Sequence, residues 1–267
     1  MGDADRQGRR IVLAIDTGSL IGPALEAAAA LAVGLQSELS ALFVEDERLI
    51  RLASLPVAHE IGLSSAQWQR IELQDMERAL RIQAERLRQV VGQTARRLTL
   101  TWTLEVVRGE ILSTSLGRMG PGDLLVIGKG RLPRLALGGA TAKAGTFPAL
   151  AARPVTVLFN GSETAVRVLE AGHAIARAVA AELTLLIPAS GAATLDERRG
   201  RAERWLAERG AAARYVNVAS RDPAALAAAV RSQGGGILVW PTPPDSRELA
   251  ALARLIEEVG CPVVVLP

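Results

Sequence analysis

The chain is almost without lysine: apart from Lys129 and Lys143, all 31 of its basic residues are arginine. That choice of base lifts the isoelectric point to about 9.7 while the formal net charge is only +3, so the high value does not by itself call for an anionic partner. The arginines are also dispersed. Arg70, Arg78, Arg81, Arg86 and Arg88 are interleaved with Glu72, Asp75, Glu77 and Glu85, which describes a solvated helix face and argues against nucleic acid, whose binders concentrate their cations. Cysteine is reduced to Cys261, which excludes an intrachain disulfide and is compatible with a reducing compartment. Histidine is reduced to His59 and His173, so no Cys/His set at metal-ligating spacing can be assembled. Aromatic residues make up 3% of the chain, and Trp68, Trp102, Trp205 and Trp240 are too scattered to form a stacking platform for single strands. No uncharged apolar run approaches the roughly 18 to 20 residues that cross a bilayer, and the first ten residues lack the apolar core of a secretory signal. The expectation is a cytoplasmic protein without membrane insertion.

What is present is apolar and repetitive. Hydrophobic residues make up 49% of 267 residues, a length that fits one large domain or two ordinary ones. An internal match decides for two. Ile11–Val44 aligns with Val155–Pro188 without a gap at a constant offset of 144. Asp16 falls on Asn160, Leu25-Glu26-Ala27 on Leu169-Glu170-Ala171, Ala30 on Ala174, Glu38-Leu39 on Glu182-Leu183 and Leu42 on Leu186. Each copy opens with a continuous apolar run suited to a strand covered on both faces, then a polar turn with Gly18-Ser19 or Gly161-Ser162 as a helix start. Leu25, Ala28, Ala32 and Leu35, or Val168, Ala171, Ile175 and Val179, follow at helical spacing, and a second apolar run completes a βαβ unit. The ends match as well, in Asp123–Gly128 against Gly236–Pro241 and in Arg153–Leu158 against Cys261–Leu266.

The pattern predicts a polar tail over residues 1–10, a first α/β domain over 11–153 and a second, trimmed α/β domain over 154–267. Strands are expected around Trp102–Val107 and Arg214–Val218. The first domain should insert a loop from Glu47 to Leu63 and a long helix over about Ala66 to Arg97, whose place in the second is taken by a shorter helix near Leu195 to Glu208. Val155–Phe159 is claimed by both domains, and a strand has only two edges. Given to the second domain, it leaves the first one strand short, with an edge to be covered or paired, another subunit being one way to do so. A homodimer is the expectation that follows from this count.

Candidates for chemistry are few. His173 lies in a repeat helix, His59 adjoins Glu60 on the inserted loop, and Cys261 precedes a buried strand; each reads more readily as packing or surface than as catalysis. Neither Gly18-Ser-Leu-Ile-Gly22 nor Asn160-Gly-Ser162 fits a nucleophile elbow, and a P-loop is absent. No catalytic residue and no metal ligand is predicted, and the chain is expected not to be an enzyme.

Several blocks resemble the universal stress protein family: Arg10-Ile-Val-Leu-Ala-Ile-Asp16 followed by Gly18-Ser19, Leu42-Phe-Val-Glu-Asp46, and Leu124-Leu-Val-Ile-Gly128 opening a glycine-containing loop. Leu49–Pro56 with Glu60 and Gly62 is similar to a segment of a bacterial tandem branch of that family. The resemblance implies two tandem open, mostly parallel sheets with helices on both faces and strand order 3-2-1-4-5, the second half reduced. In that order the winding reverses between strands 1 and 4, which opens a crevice at their carboxyl ends. For nucleotide-binding members it implies an Asp and a Val toward the base and a loop of the form G-x-x-G, nine residues, G-[S/T] around ribose and phosphates. The corresponding residues here are Asp16, Val44, Gly128, Gly130, Gly138, Gly139 and Thr141. Glycine serves such a loop because a Cβ would keep backbone N–H groups from the phosphate oxygens. The loop departs from the pattern: Arg131 stands at the second glycine with Gly130 one place early, and Gly139-Ala140 stands at the final pair with Thr141 one place late. Lys129, Arg131 and Arg134 offer charge, but a side-chain cation does not replace a lost backbone donor. In the second half Asn160 replaces the acid and Trp240-Pro241-Thr242-Pro243-Pro244 replaces the glycines. Two readings stay open: a non-catalytic stress-response or adaptor protein with a degenerate crevice, acting on a protein partner or by self-association, and an ATP-binding sensor that uses the first half only.

Overall fold

The computed structural model describes residues 9–19, 21–53, 59–61, 68–70, 73–128 and 153–266. In chain order these form β1 (Arg10–Asp16), α1 (Ile21–Gly34), β2 (Glu38–Asp46), α2 (Glu47–Ala53), β3 (His59–Ile61), β4 (Trp68–Arg70), α3 (Leu73–Leu98), β5 (Trp102–Gly109), α4 (Ile111–Leu116) and β6 (Leu124–Ile127). The second part follows with β7 (Val155–Leu158), α5 (Glu163–Ala178), β8 (Leu183–Pro188), α6 (Ala192–Ala207), β9 (Arg214–Val218), α7 (Pro223–Ser232), β10 (Ile237–Pro241), α8 (Ser246–Val259) and β11 (Val263–Leu266).

Nine strands form one sheet in the order β5-β2-β1-β6-β11-β10-β7-β8-β9, and β3 pairs with β4 in a small antiparallel ribbon. The order β9-β8-β7-β10-β11 is the complete 3-2-1-4-5 that the family resemblance implies, and β5-β2-β1-β6 is 3-2-1-4. Pairing is parallel throughout except between β6 and β11. The disputed strand, β7, lies between β8 and β10. The edge this leaves on β6 is not exposed. It is paired in antiparallel fashion with β11, the last strand of the same chain, through Val126↔Val264 and its neighbours. The two sheets therefore join edge to edge, and the strand count no longer motivates a second subunit.

The two matched segments have the same topology and the same register: Ile11 pairs with Leu39 and Val155 with Leu183, each shifted by 144. Even their helix ends coincide. Ser37 donates its N–H to Ala32 at 2.9 Å and Ala181 donates to Ala176 at 2.8 Å, around Gln36 and Ala180, both at φ +52°.

Alternate residues of each strand feed two cores. Ile11, Leu13, Val155 and Val157 face α1, α3, α5 and α6, whereas Val12, Ala14, Leu158 and Leu238 face α4, α7 and α8. Both cores run across both halves of the sheet, so continuous apolar strands are required rather than alternating ones. α1 is buried along Ala27 to Ala32 because neighbours enclose it on several sides: the sheet, α3 and α5. It meets α5 where an added Cβ on Gly34 would fall 2.8 Å from the Ala178 Cβ, so small residues set that close crossing. Helices on the other face carry explicit stops. Asp222 caps α7 ahead of Pro223, Asp245 caps α8 through the Glu248 N–H, and Gly260 ends α8 at φ +69°.

Several boundaries differ from the sequence expectation. Arg10, placed in the tail, is the first residue of β1. Residues 68–70, expected inside the long helix, pair with 59–61, so that helix starts at Leu73, and the expected Glu47 loop begins as α2. The backbone of 68–70 is paired as strand and so is not available to a helix.

Candidate functional site

The winding reverses between β1 and β6, and the carboxyl ends of these adjacent strands carry Asp16 and, just past β6, Gly128. Gly128 donates its N–H to the Ala14 carbonyl at 3.3 Å, which fixes the start of the expected loop against β1. Gly130, Gly138, Gly139 and Thr141, with Lys129, Arg131 and Arg134, lie outside the described residues.

Asp16 is buried and closes its own turn. Its Oδ1 accepts from the Gly18 N–H at 3.0 Å and the Ser19 hydroxyl at 2.6 Å, while the Ser19 Oγ accepts from the Asp16 N–H at 2.9 Å. Such an Asx turn needs a short side-chain acceptor, not a charge. The second half demonstrates this: Asn160 Oδ1 accepts from the Ser162 N–H, also at 3.0 Å, and Ser162 then caps α5 through the Ala165 N–H. Val44 pairs in register with Asp16, but its side chain is fully enclosed in the core facing α4, with Ala14, Leu42 and Val107. The structure thus brings Asp16, Val44 and Gly128 to one end of the sheet, with Val44 presenting backbone only.

A pair beside them escaped the sequence reading. Glu45, next to Val44 and nearly buried, accepts from Arg108 Nε at 2.9 Å; Arg108 also lies 3.9 Å from Glu77. The hydrogen bond to Glu45 is the main reason the Arg108 pKa rises above its ordinary value. The residues are 63 apart in sequence and meet because β2 and β5 pair Glu45 with Arg108, a register that the sequence alone did not supply. Beyond β5, Glu110 caps α4 by accepting from the Leu112 and Ser113 N–H groups.

The equivalent end of the second half is crossed by hydrogen bonds. Arg198 donates to the Pro188 carbonyl, and Arg201 donates to the Gly161 carbonyl at 2.7 Å and to Glu163. Thr242 directs both its N–H and its hydroxyl to the Leu266 carbonyl, each at 2.6 Å. These contacts tie together the turns at this end of the second half.

The remaining reactive groups are elsewhere. His173 lies on α5, its ring edge-on to Trp205 with centroids 5.9 Å apart. His59 opens β3, and its side chain is outside the described residues. Cys261 is buried, and desolvation pushes its thiol up to about 12, so it is inert at neutral pH. Among the described residues no three His, Cys, Asp or Glu side chains gather as metal ligands, and no helix is long and apolar enough to cross a membrane.

A universal stress protein from Archaeoglobus fulgidus superposes over 98% of this chain and 97% of its own, with a TM-score of 0.55 at 15% identity. The chain has the universal stress protein fold. A second similar structure, of a universal stress protein from Pseudomonas aeruginosa, covers 99% of this chain and 95% of its own at 17% identity and a TM-score of 0.47. No family model and no curated protein matches the sequence.

Proposed function

We propose that the chain is a non-catalytic stress-response or adaptor protein of the universal stress type, working in the cytoplasm through a protein partner or self-association. It would comprise two duplicated units, 11–153 and 154–267, of which only the first keeps a crevice. The observation that carries this reading is the Asp16 turn. Oδ1 of the carboxylate that would address a base accepts from Gly18 and Ser19, and Asn160 makes the same kind of turn without charge. The displaced glycines at 130 and 139 and the enclosed Val44 side chain support it further. The segment from Glu47 to Leu63, present in the first unit only, is the natural place for a partner.

The alternative, an ATP-binding sensor, draws on one observation: Asp16 and Gly128 do sit at the carboxyl ends of neighbouring strands where the winding reverses. Denaturing the purified protein and running the supernatant on an anion-exchange column separates the two. The adaptor reading expects an empty trace and no calorimetric heat at millimolar ATP. Stoichiometric ATP or ADP, or a saturable heat, would establish the sensor instead.

A further inference from the structure

At the opposite end of the sheet, beside the amino ends of β8 and β9, lies a cleft of about 500 Å³, within the size range of small-molecule sites. Its floor includes Ala176, Ala211 and Ala213, and its rim carries His173, Arg177, Arg214 and one carboxylate, Glu182. Apart from Ala176 and Glu182, whose counterparts are Ala32 and Glu38, the first half shows that the fold requires none of these choices. Strand pairing sets Ser40 beside Thr103 in the first half and Thr184 beside Arg214 in the second, so Ala213 stands where Trp102 stands and Ala211 where Leu100 stands. The preceding turns confirm the correspondence: Leu100 donates its N–H to Ala95 at 2.9 Å, and Ala211 donates to Leu206 at 3.0 Å. Leu100 and Trp102 fill the core against α3, where the Trp102 ring lies against Gly92. Their alanine counterparts leave the space empty of side chain. The same offset that aligns the two units puts Ala29 and Val33 where His173 and Arg177 stand. Two bulky groups have thus become small and three uncharged ones cationic or titratable, all around one cavity.

The charge around it is not balanced. Arg214 faces Glu182 at 3.7 Å with both side chains well exposed, a pair of little strength. Arg177 has no carboxylate partner among the described residues. Arg209 lies over the Trp205 ring, 4.0 Å from its centroid. His173 responds to this field: burial first, then the charges of Arg177 and Arg209, lower its pKa from the ordinary value. We infer that the cleft is a binding site for a small apolar organic anion, its body on the alanine floor and its acidic group between Arg177 and Arg214.

Two dyes of the same aromatic skeleton test this, 8-anilinonaphthalene-1-sulfonate and the uncharged N-phenyl-1-naphthylamine. The sulfonate should bind saturably, with energy transfer from tryptophan that Trp205→Phe reduces, and more tightly than the neutral dye. Replacing the exposed pair, Arg177→Ala with Arg214→Ala, should weaken the sulfonate about tenfold, as expected for two modest charge contacts, and leave the neutral dye unchanged. Ala211→Leu, which restores the bulk of the first half, should weaken both dyes. Equal affinity for the two dyes, or sulfonate binding untouched by the double arginine variant, overturns the proposal.

Discussion

At the amino end of the sheet the two halves meet the same problem with different chemistry. Arg10 and Pro154 are equivalent at the 144 offset, as are Asp123 and Gly236 by the pairing of Ile11 with Leu124 and of Val155 with Ile237. In the first half Asp123, buried, accepts from the Arg10 N–H at 2.9 Å, the Arg10 guanidinium at 2.7 Å and the Gly120 N–H at 2.8 Å. In the second, Pro154 has no N–H to offer, and the place of the carboxylate is taken by a residue with no side chain. The Pro154 carbonyl comes in to accept from the Ile237 N–H at 3.2 Å, and a Cβ on Gly236 would fall 2.0 Å from that oxygen. One half closes the strand ends with a charge and its donors, the other by close approach of backbone. The lesson is that duplicated topology preserves register while leaving each contact free to change its chemistry.

The contrast breaks most sharply at Gly236. It combines a φ of +99° with that backbone contact, so Gly236→Ala meets both conformational strain and a clash with atoms that cannot rotate away. A loss of roughly 3 kcal/mol or more is expected, read as a melting temperature lower by roughly 10 °C. A melting curve unchanged by the substitution would show that β10 and Pro154 are not in this close contact.

Asp123→Asn should be the next most costly, at roughly 2 kcal/mol near neutral pH, the worth of hydrogen bonds to a charged group. Here the direction of the pH dependence is informative. Burial alone would raise the Asp123 carboxyl, but the hydrogen bonds from Arg10 and Gly120 and the Arg10 charge outweigh it and hold the pKa below the ordinary value. The unfolded chain therefore binds the proton first, and the stabilisation present at neutral pH is lost as pH falls from about 4 through the folded value. Denaturant melts of the two proteins should differ most near pH 7, and the difference should shrink as the pH falls below about 4. The second half contributes nothing to this acid-sensitive difference, because Gly236 has nothing to protonate.

The alternating elements and the twofold βαβ pattern were legible because a strand buried on both faces must be continuously apolar, and IVLAI and VTVLF are. The ownership of Val155 could be framed from the sequence as a counting problem. Its answer could not, because the antiparallel β6 and β11 pair joins residues 136 or more apart whose side chains are all valine, leucine or isoleucine, and such residues specify burial without specifying a partner. The site was legible as positions and not as contacts. Asp16 and Gly128 meet the expected end of the sheet, yet the Asx turn that occupies the carboxylate depends on local geometry, and Glu45 with Arg108 depends on register.

The smallest effect sharpens the comparison at the ends of α3 and α6. Both helices finish with the same pair of hydrogen bonds, Thr99 to Arg96 and Leu100 to Ala95 in one, Gly210 to Ala207 and Ala211 to Leu206 in the other. The residue at the bend is left-handed in each, at φ +55° for Thr99 and +59° for Gly210. A β-branched side chain is strained there, whereas glycine is not, and glycine's greater freedom in the unfolded chain offsets part of that difference. Thr99→Gly is therefore expected to stabilise the protein by about 0.5 to 1 kcal/mol, and Gly210→Thr to destabilise it by about as much or slightly more. Paired urea titrations of the two variants check the signs. If both substitutions destabilise, Thr99 makes a contact that its counterpart never needed, and the two helix ends are alike in backbone alone.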